Sequence, residues 1–290
     1  MTAEGGAGPG PARIVRVAGP SATTLINGRE RELRLPPGLE GGPPAAGDLV
    51  EVSEDGGGVA AILPRASELR RGGARGDRVI AANADLMIAV EAIVDPEIRP
   101  RFLDRYLAAA ELGGMDAAIV LTKADLEHDP VPIAAIQSRY EGIGYPVLKG
   151  VSSDPVLARR VLDVIDGRIA VLAGHSGVGK STLTTTLTGI ERATSAVSRK
   201  ARSGRHTTTD PRLIPLPGAA GAIIDTAGVR TFHLPETEPE RLAQGFREIA
   251  EVAHRCRFRG CRHNGEDGCA APAAVSPERL DSYRRLLSGS

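Results

Sequence analysis

The chain has 290 residues, no formal net charge and 41% apolar residues, a length and composition that favour two or three units with real hydrophobic cores. Zero net charge argues against indiscriminate coating of nucleic acid, and 3% aromatic residues with no tryptophan argue against extensive base stacking. Residues 1–11 are rich in Gly, Ala and Pro, lack the apolar core of a secretory signal and are predicted to be a disordered tail. No stretch is long and apolar enough to span a membrane. We therefore expect a cytoplasmic protein with no membrane partner.

Residues 12–68 contain short β-like runs separated by Gly and Pro clusters. The runs are Ile14-Val15-Arg16-Val17, Thr23-Thr24-Leu25-Ile26, Leu33-Arg34-Leu35, Leu49-Val50-Glu51-Val52 and Val59-Ala60-Ala61-Ile62-Leu63. Several short strands within about fifty residues predict a small β-barrel such as an OB-fold. An SH3-like barrel or an irregular β cap is the alternative.

An Arg-rich connector at residues 69–76 precedes a different pattern, in which apolar runs alternate with helical stretches. The runs are Leu86-Met87-Ile88-Ala89-Val90, Ala117-Ala118-Ile119-Val120-Leu121, Pro146-Val147-Leu148, Ile169-Ala170-Val171-Leu172-Ala173 and Ala222-Ile223-Ile224, with a helix predicted from Pro100 to Leu112. Buried parallel strands joined by helices predict a doubly wound α/β domain over residues 77–234. Residues 235–290 are predicted to be helical around a Cys/His cluster.

A base-recognition motif follows one of these runs. Thr122, Lys123 and Asp125 form the T-K-x-D variant of the guanine motif of GTPases. A carboxylate at a strand end accepts hydrogen bonds from guanine N1–H and its 2-amino group, while the lysine stem covers the ring. The same residues are also compatible with a helix N-cap. Ser152 and Ser153 after the next run are predicted to form the short loop behind the base.

A phosphate-binding loop comes later in the chain, between an apolar run and a predicted helix. Its sequence is Gly174-His175-Ser176-Gly177-Val178-Gly179-Lys180-Ser181, followed by Thr182. Glycines turn backbone N–H groups toward the phosphates, the lysine reaches the β- and γ-phosphates, and the Ser181 hydroxyl binds Mg²⁺. Ordinary GTPases carry the loop first and the base motif later. The inverted order therefore predicts a circularly permuted GTPase domain.

Two further segments are expected to respond to the γ-phosphate. Asp225-Thr226-Ala227-Gly228 follows an apolar run, as expected for a carboxylate that holds Mg²⁺ through water and a glycine amide that senses the γ-phosphate. Val229 stands where many GTPases use Gln to orient water, so hydrolysis is expected to need another group or a partner. Gly204-Arg205-His206-Thr207-Thr208-Thr209 is the candidate switch, with Thr208 on Mg²⁺ and His206 near the water, or else a flexible surface loop.

The three cysteines of the chain are clustered near its C-terminal end. Cys256, Cys261, His263 and Cys269 offer a Cys3His ligand set for one structural Zn²⁺, with His254 as an alternative fourth ligand and three unrelated thiols as the simpler interpretation. Arg255, Arg257, Arg259 and Arg262 are interleaved with these ligands. Arginine favours phosphate partners, although heavy use of Arg over Lys also reflects genomic base composition.

The order of these motifs resembles that of the circularly permuted ribosome small-subunit-dependent GTPase A family over nearly the whole chain. The resemblance implies an OB-fold, a permuted GTPase domain and a zinc domain, with stimulated GTP hydrolysis in late maturation of the small ribosomal subunit. It also implies rRNA on that subunit and GTP or GDP as partners, a monomeric protein, and a switch role for His206. Three departures are Thr122 in place of Asn, Ala227 in place of Pro and Thr184 in place of Asn. Two other functions remain open, a nucleotide-gated RNA adaptor with negligible hydrolysis and a small-molecule P-loop kinase.

Overall fold

The structure, a computed structural model, describes residues 11–73, 76–190, 210–218, 220–226 and 233–289. The predicted tail lies almost entirely outside these residues. Five antiparallel strands come first: β1 (Ala12–Ala18), β2 (Ser21–Ile26), β3 (Arg29–Arg34), β4 (Leu49–Val52) and β5 (Val59–Ile62). They pair in the order β3-β2-β1-β4-β5, and a parallel bridge between Arg34 and Gly58 joins the two edges. Because alternate apolar residues point inward, a small closed core forms, and the OB-fold prediction is confirmed.

A hairpin that the sequence did not predict follows the barrel. Strands β6 (Glu68–Arg71) and β7 (Arg78–Ala82) pair with each other across the Arg-rich segment. Leu69 and Ile80 are buried in the core of the following domain. The hairpin thus packs against the core of that domain, while Arg70 and Arg78 are exposed.

The second sheet has six strands: β8 (Leu86–Ala92), β9 (Asp116–Thr122), β10 (Val147–Lys149), β11 (Ile169–Ala173), β12 (Arg212–Pro215) and β13 (Ala222–Asp225). Its order is β10-β9-β8-β11-β13-β12, with only β12 antiparallel to its neighbour. The helices are α1 (Pro100–Leu112), α2 (Pro130–Gly142), α3 (Pro155–Ile165) and α4 (Lys180–Thr188). The sheet has a separate apolar core on each of its two faces, which explains why its central strands are continuous apolar runs.

The circular permutation is visible in the middle of this sheet. Strand β8 starts the domain, yet it pairs in parallel with β11, which lies much later in the chain, with Leu86 opposite Ala170. Strands β9 and β10 extend the sheet on the far side of β8, and β13 extends it on the far side of β11. The carboxyl ends of β8, β9, β11 and β13 therefore share one edge of the sheet, which is where ligands bind in such folds.

The C-terminal part is helical and packs on α1. It contains α5 (Pro239–Gln244), α6 (Arg247–Val252), α7 (Ala271–Ala274) and α8 (Pro277–Leu287). Phe246 and Tyr283 are fully buried at its centre, with their rings 5.4 Å apart and nearly perpendicular. Ala108 of α1 belongs to the same core. Among the described helices, none has the length and apolar character needed to cross a membrane.

Candidate functional site

The phosphate-binding loop joins β11 to α4, as predicted. Two of its glycines are required by close approach. A Cβ atom on Gly174 would lie 2.2 Å from the Val90 carbonyl oxygen, and one on Gly179 would lie 2.4 Å from the Ser152 Oγ atom. The loop backbone is therefore pressed against the ends of neighbouring elements, so that Ser176 and Gly177 are exposed while Val178 is buried.

Lys180 begins α4 and lies within this loop. Its ammonium group donates a hydrogen bond of 2.7 Å to the His175 carbonyl oxygen and another to that of Gly174. Burial lowers the pKa of Lys180 to about 8, against the opposing charges of Asp225 and Glu91. A buried ammonium group held among loop carbonyls is well placed to neutralise an anion bound by the loop.

The base motif lies at the carboxyl end of β9, next to the loop. The buried Thr122 hydroxyl donates a hydrogen bond of 2.6 Å to the Val178 carbonyl oxygen, and the Glu91 carbonyl oxygen lies 3.2 Å from the same hydroxyl. Lys123 has a left-handed backbone, with φ of 57°, and its ammonium group donates to the Asp95 carbonyl oxygen. Asp125 is exposed in the 3-10 turn formed by Ala124–Leu126. Thr122 thus ties the motif to the loop, which leaves Asp125 as the accessible acceptor.

The Ser pair follows β10 on the same edge. Ser152 is buried with its Oγ atom beside Gly179, and its carbonyl oxygen accepts a hydrogen bond of 2.9 Å from Thr186 of α4. Ser153 is exposed. The Ser pair and the phosphate loop are therefore in direct contact, although the Ser152 hydroxyl makes no hydrogen bond to any residue in the described part of the chain.

Asp225 ends β13, beside the strand that leads into the loop. Its side chain is fully buried, and its charge acts on Lys180. The next residue, Thr226, donates a hydrogen bond of 2.6 Å to the Leu172 carbonyl oxygen and so fixes this strand end. The predicted switch residues His206 and Thr208, together with Gly228 and Val229, lie outside the described residues.

Glu91 is a site residue that the sequence analysis missed. It is fully buried in β8, and its Oε1 atom lies 2.8 Å from Nε2 of His175 in the phosphate loop. Burial raises the pKa of Glu91, although His175 and Lys180 oppose the rise. The signal in the sequence was one acidic residue within an otherwise apolar strand, a costly placement unless the charge has a partner.

The Cys/His cluster forms a compact ligand set. The side-chain donor atoms of Cys256, Cys261, His263 and Cys269 all lie within 4.8 Å of one another. Nδ1 of His263 is 3.6 Å from the sulfur of Cys256 and 3.5 Å from that of Cys269. Burial and the neighbouring thiols raise the pKa of Cys261 to about 12, despite an opposing backbone hydrogen bond. These residues can hold a metal ion, which would favour the thiolate form, whereas His254 is exposed outside the cluster.

Taken together, the barrel, the sheet order and the paired motifs define a circularly permuted GTPase followed by a Cys/His metal-binding unit. Two solved structures share this fold: YloQ, a circularly permuted GTPase, at a TM-score of 0.73 and 24% identity, and YjeQ from Thermotoga maritima, at 0.76 and 24%. The first likeness covers 99% of this chain and 97% of the other, and the second covers 97% and 99%.

Sequence comparison identifies the family. The RsgA GTPase family model matches residues 62–235. A small ribosomal subunit biogenesis GTPase RsgA of Azotobacter vinelandii is 38% identical over 245 residues, covering 81% of this chain and 71% of the relative. Another, of Xanthomonas oryzae pv. oryzae, is 40% identical over 253 residues, covering 83% and 68%. The chain belongs to the RsgA GTPase family, and the predicted family resemblance is confirmed.

Proposed function

We propose that the protein binds GTP along the shared carboxyl edge of its sheet and hydrolyses it to GDP and phosphate. The phosphates contact the loop, the base contacts the T-K-x-D motif backed by the Ser pair, and Gly228 senses the γ-phosphate. The nucleotide-binding residues are Thr122, Lys123, Asp125, Ser152, Ser153, Gly174, His175, Ser176, Gly177, Val178, Gly179, Lys180, Ser181, Thr182, Asp225 and Gly228.

One observation carries this proposal. The hydrogen bond from Thr122 to the Val178 carbonyl oxygen joins the base motif to the phosphate loop, although 56 residues separate them. A ligand that contacts both must carry a base and phosphates at once, because the two elements sit at neighbouring strand ends. Thr122 then contributes mainly by its hydrogen bond to the phosphate loop, while Asp125 supplies the contact that is specific to guanine.

Mg²⁺ is the metal we propose at the phosphates. Ser181 and Asp225 offer oxygen ligands of the kind this ion prefers, and Thr208 would complete the set. The ion would supply positive charge to the β- and γ-phosphates. The fit rests on Asp225, a fully buried carboxylate next to a buried ammonium group, which is a costly arrangement unless cations and phosphates share the site.

Hydrolysis is proposed to be slow until a partner engages the protein. Val229 offers no side-chain hydrogen bond to an attacking water, and His206 of the candidate switch is the residue that we propose supplies one. Lys180 acts electrostatically, since its ammonium group is positioned to stabilise charge on the transferred phosphoryl group. Binding of the partner would bring His206 to the water.

Zn²⁺ is the metal we propose for the Cys/His cluster, one ion per chain, bound by Cys256, Cys261, His263 and Cys269. Tetrahedral bonds of about 2.3 Å to sulfur and about 2.1 Å to nitrogen separate the ligand atoms by about 3.6 Å. The distances of 3.6 and 3.5 Å from His263 Nδ1 to two sulfurs fit that geometry. Four protein ligands leave no open position, so the ion would be structural.

The small ribosomal subunit and its rRNA are the partners we propose. The relatives are named for biogenesis of that subunit. Arg255, Arg257, Arg259 and Arg262 are exposed around the metal cluster, and guanidinium groups suit RNA phosphates. We further propose that the protein is a monomer and acts in the cytoplasm, late in maturation of the subunit.

The domain bounds that we propose are an OB-fold over residues 12–68, a connector over 69–76, the GTPase domain over 77–234 and the metal-binding domain over 235–290.

The deciding experiment is GTP turnover with and without purified small subunits. We expect slow turnover alone and strong stimulation by the subunit, with ATP not replacing GTP. Lys180→Ala should reduce stimulated turnover more than about tenfold, because it removes the charge beside the phosphates. Subunit binding that depends on GTP without any turnover would instead support an RNA adaptor, and phosphate transfer to a small molecule would support a kinase.

A further inference from the structure

Glu91 and His175 bring a buried acid–imidazole pair into contact with the phosphate loop. Glu91 belongs to β8, while His175 is the second residue of the loop, and Glu91 Oε1 and His175 Nε2 are 2.8 Å apart. The two side chains are 0% and 16% exposed. The backbone of His175 is engaged as well, since its carbonyl oxygen accepts a hydrogen bond from Lys180. The pair therefore links the central strand to the segment of the loop that holds the lysine.

The hydrogen-bond partners of the imidazole determine how many protons the pair holds. His175 Nδ1 lies 2.9 Å from the carbonyl oxygen of Ser176, which can only accept, so Nδ1 carries a proton. Nε2 faces a carboxylate oxygen, and this second contact is a hydrogen bond only when another proton lies between the two atoms. Either the imidazole is doubly protonated beside a carboxylate, or a neutral imidazole accepts from a protonated Glu91. In both cases the pair carries no net charge.

The surroundings favour retention of that proton. The second oxygen of Glu91, Oε2, is buried without a hydrogen bond to any residue in the described part of the chain. Burial raises the pKa of Glu91. The charged or titratable groups facing it are His175 and Lys180 from the loop and α4, and Tyr106 from α1, while a hydrogen bond from the Arg99 backbone N–H opposes the rise in the pKa of Glu91.

The remaining neighbours either cover the Glu91–His175 pair or act on it from a distance. Phe102 of α1 covers His175, with the ring centroids 5.3 Å apart, and Arg105 lies over the Phe102 ring. Asp225 acts on the pair through Lys180. If the proton is lost, a buried negative charge remains next to the loop.

We propose that Glu91 and His175 are positioning residues that share one proton, anchoring the phosphate loop to β8 and keeping the pair neutral where nucleotide phosphates bind. The proposal rests on the nucleotide site proposed above. With the proton present, the His175 backbone stays in place to direct Lys180. Without it, the carboxylate repels the phosphates and the anchor weakens. Guanine nucleotide affinity therefore falls as pH rises through the titration of the pair.

The proton can be observed without nucleotide. NMR of protein labelled with ¹⁵N-histidine reports which ring nitrogens are protonated, and His175→Gln identifies the resonances. We expect His175 at neutral pH to carry a proton on Nδ1, with Nε2 either protonated or hydrogen-bonded to protonated Glu91. A neutral ring with its proton on Nε2 alone would overturn the proposal. This spectrum also separates the proposal from the nucleotide site, since wild-type protein that binds no guanine nucleotide would count against the site only.

The functional test is the Kd for GDP between pH 6.5 and 9 in the wild type and in Glu91→Gln. The glutamine amide can donate to neutral His175 and keep the anchor without a titrating proton. We expect similar affinities at the low end of this range. At higher pH the wild type should weaken relative to the variant, approaching about tenfold per pH unit above the titration of the pair. Phosphate ionisation is common to both proteins and cancels in their ratio. Lys180, whose pKa is about 8, loses the supporting charge of Glu91 in the variant, so its titration would weaken the variant and change the ratio in the opposite direction.

Two more variants test this interpretation, one at the pair and one as a control. His175→Gln keeps a donor to Glu91 but removes the imidazole nitrogen that shares the proton, so its Kd for GDP should follow a pH profile different from that of the wild type. Glu141→Gln changes an exposed glutamate of α2 and should match the wild type at every pH. Parallel pH profiles for the wild type, Glu91→Gln and His175→Gln would overturn the proposal.

Discussion

Arg279 of α8 and Asp104 of α1 form an ion pair of 2.8 Å, although 175 residues separate them in the chain. Their side chains are only 1% and 2% exposed. Arg279 also donates to Glu248 at 2.6 Å, and the Tyr140 hydroxyl donates to Asp104 at 2.7 Å. Burial opposes the charge of Arg279, but the bonds to Glu248 and Asp104 raise its pKa overall. This network attaches the C-terminal helices to the GTPase domain.

Arg279→Met should destabilise the protein strongly. The substitution leaves two buried or half-buried carboxylates without their cation, a change that typically costs about 3–5 kcal/mol. The measurement is the free energy of unfolding in urea. Arg285→Ala, which removes an exposed pair with Asp281, is the control and should stay within about 0.5 kcal/mol of the wild type. A loss below about 1 kcal/mol for Arg279→Met would contradict this account of the network.

Removal of metal should unfold the C-terminal unit before the rest. In small metal-binding units the free energy of metal binding contributes to the free energy of folding. A chelator or Cys261→Ser should therefore release one Zn²⁺ per chain and unfold this unit first. Metal analysis combined with limited proteolysis would follow both events.

Two histidine variants sharpen the metal prediction. His263→Ala should lose the ion, whereas exposed His254→Ala should keep it. Protein that is prepared without chelators and contains no zinc would refute the assignment.

Asp125→Asn should change base specificity. Its carboxylate is accessible at the strand end and is proposed to accept hydrogen bonds from guanine, whereas a carboxamide can donate. GTP should bind more weakly and xanthosine triphosphate more tightly, as measured by competition against a fluorescent nucleotide. Asp163→Asn alters an exposed residue of α3 and should leave both affinities unchanged. Undiminished GTP binding by Asp125→Asn would place the base elsewhere.

His206→Ala should separate binding from activation. The variant should keep GTP binding and association with the small subunit, because neither the phosphate loop nor the base motif is altered. It should lose most of the stimulation of turnover if His206 positions the attacking water. Stimulation equal to that of the wild type would mean that another group, including one from the ribosome, positions the water.

Local features determined much of the fold and the site. Strands β4 and β11 and helix α1 begin and end as predicted or within a residue, because apolar periodicity and Gly or Pro boundaries act over a few residues. The phosphate loop was predictable because its chemistry uses consecutive backbone amides. The Cys/His cluster was predictable from spacing, and the structure brings together the predicted set with His263 and leaves the alternative, His254, outside it.

The tertiary structure decided the features that depend on distant neighbours. The hairpin of β6 and β7 escaped prediction because its buried residues pack in the core of the GTPase domain against segments that lie later in the chain, and the short edge strand β12 was missed as well. Thr122 belongs to the base motif in the sequence, yet its hydroxyl donates a hydrogen bond to the phosphate loop. Glu91 lies at the site because β11 pairs with β8. Arg279 forms an ion pair with Asp104 because α8 packs on α1. A sequence motif encodes contacts along the chain, whereas burial and charge pairing depend on which segments the fold brings together.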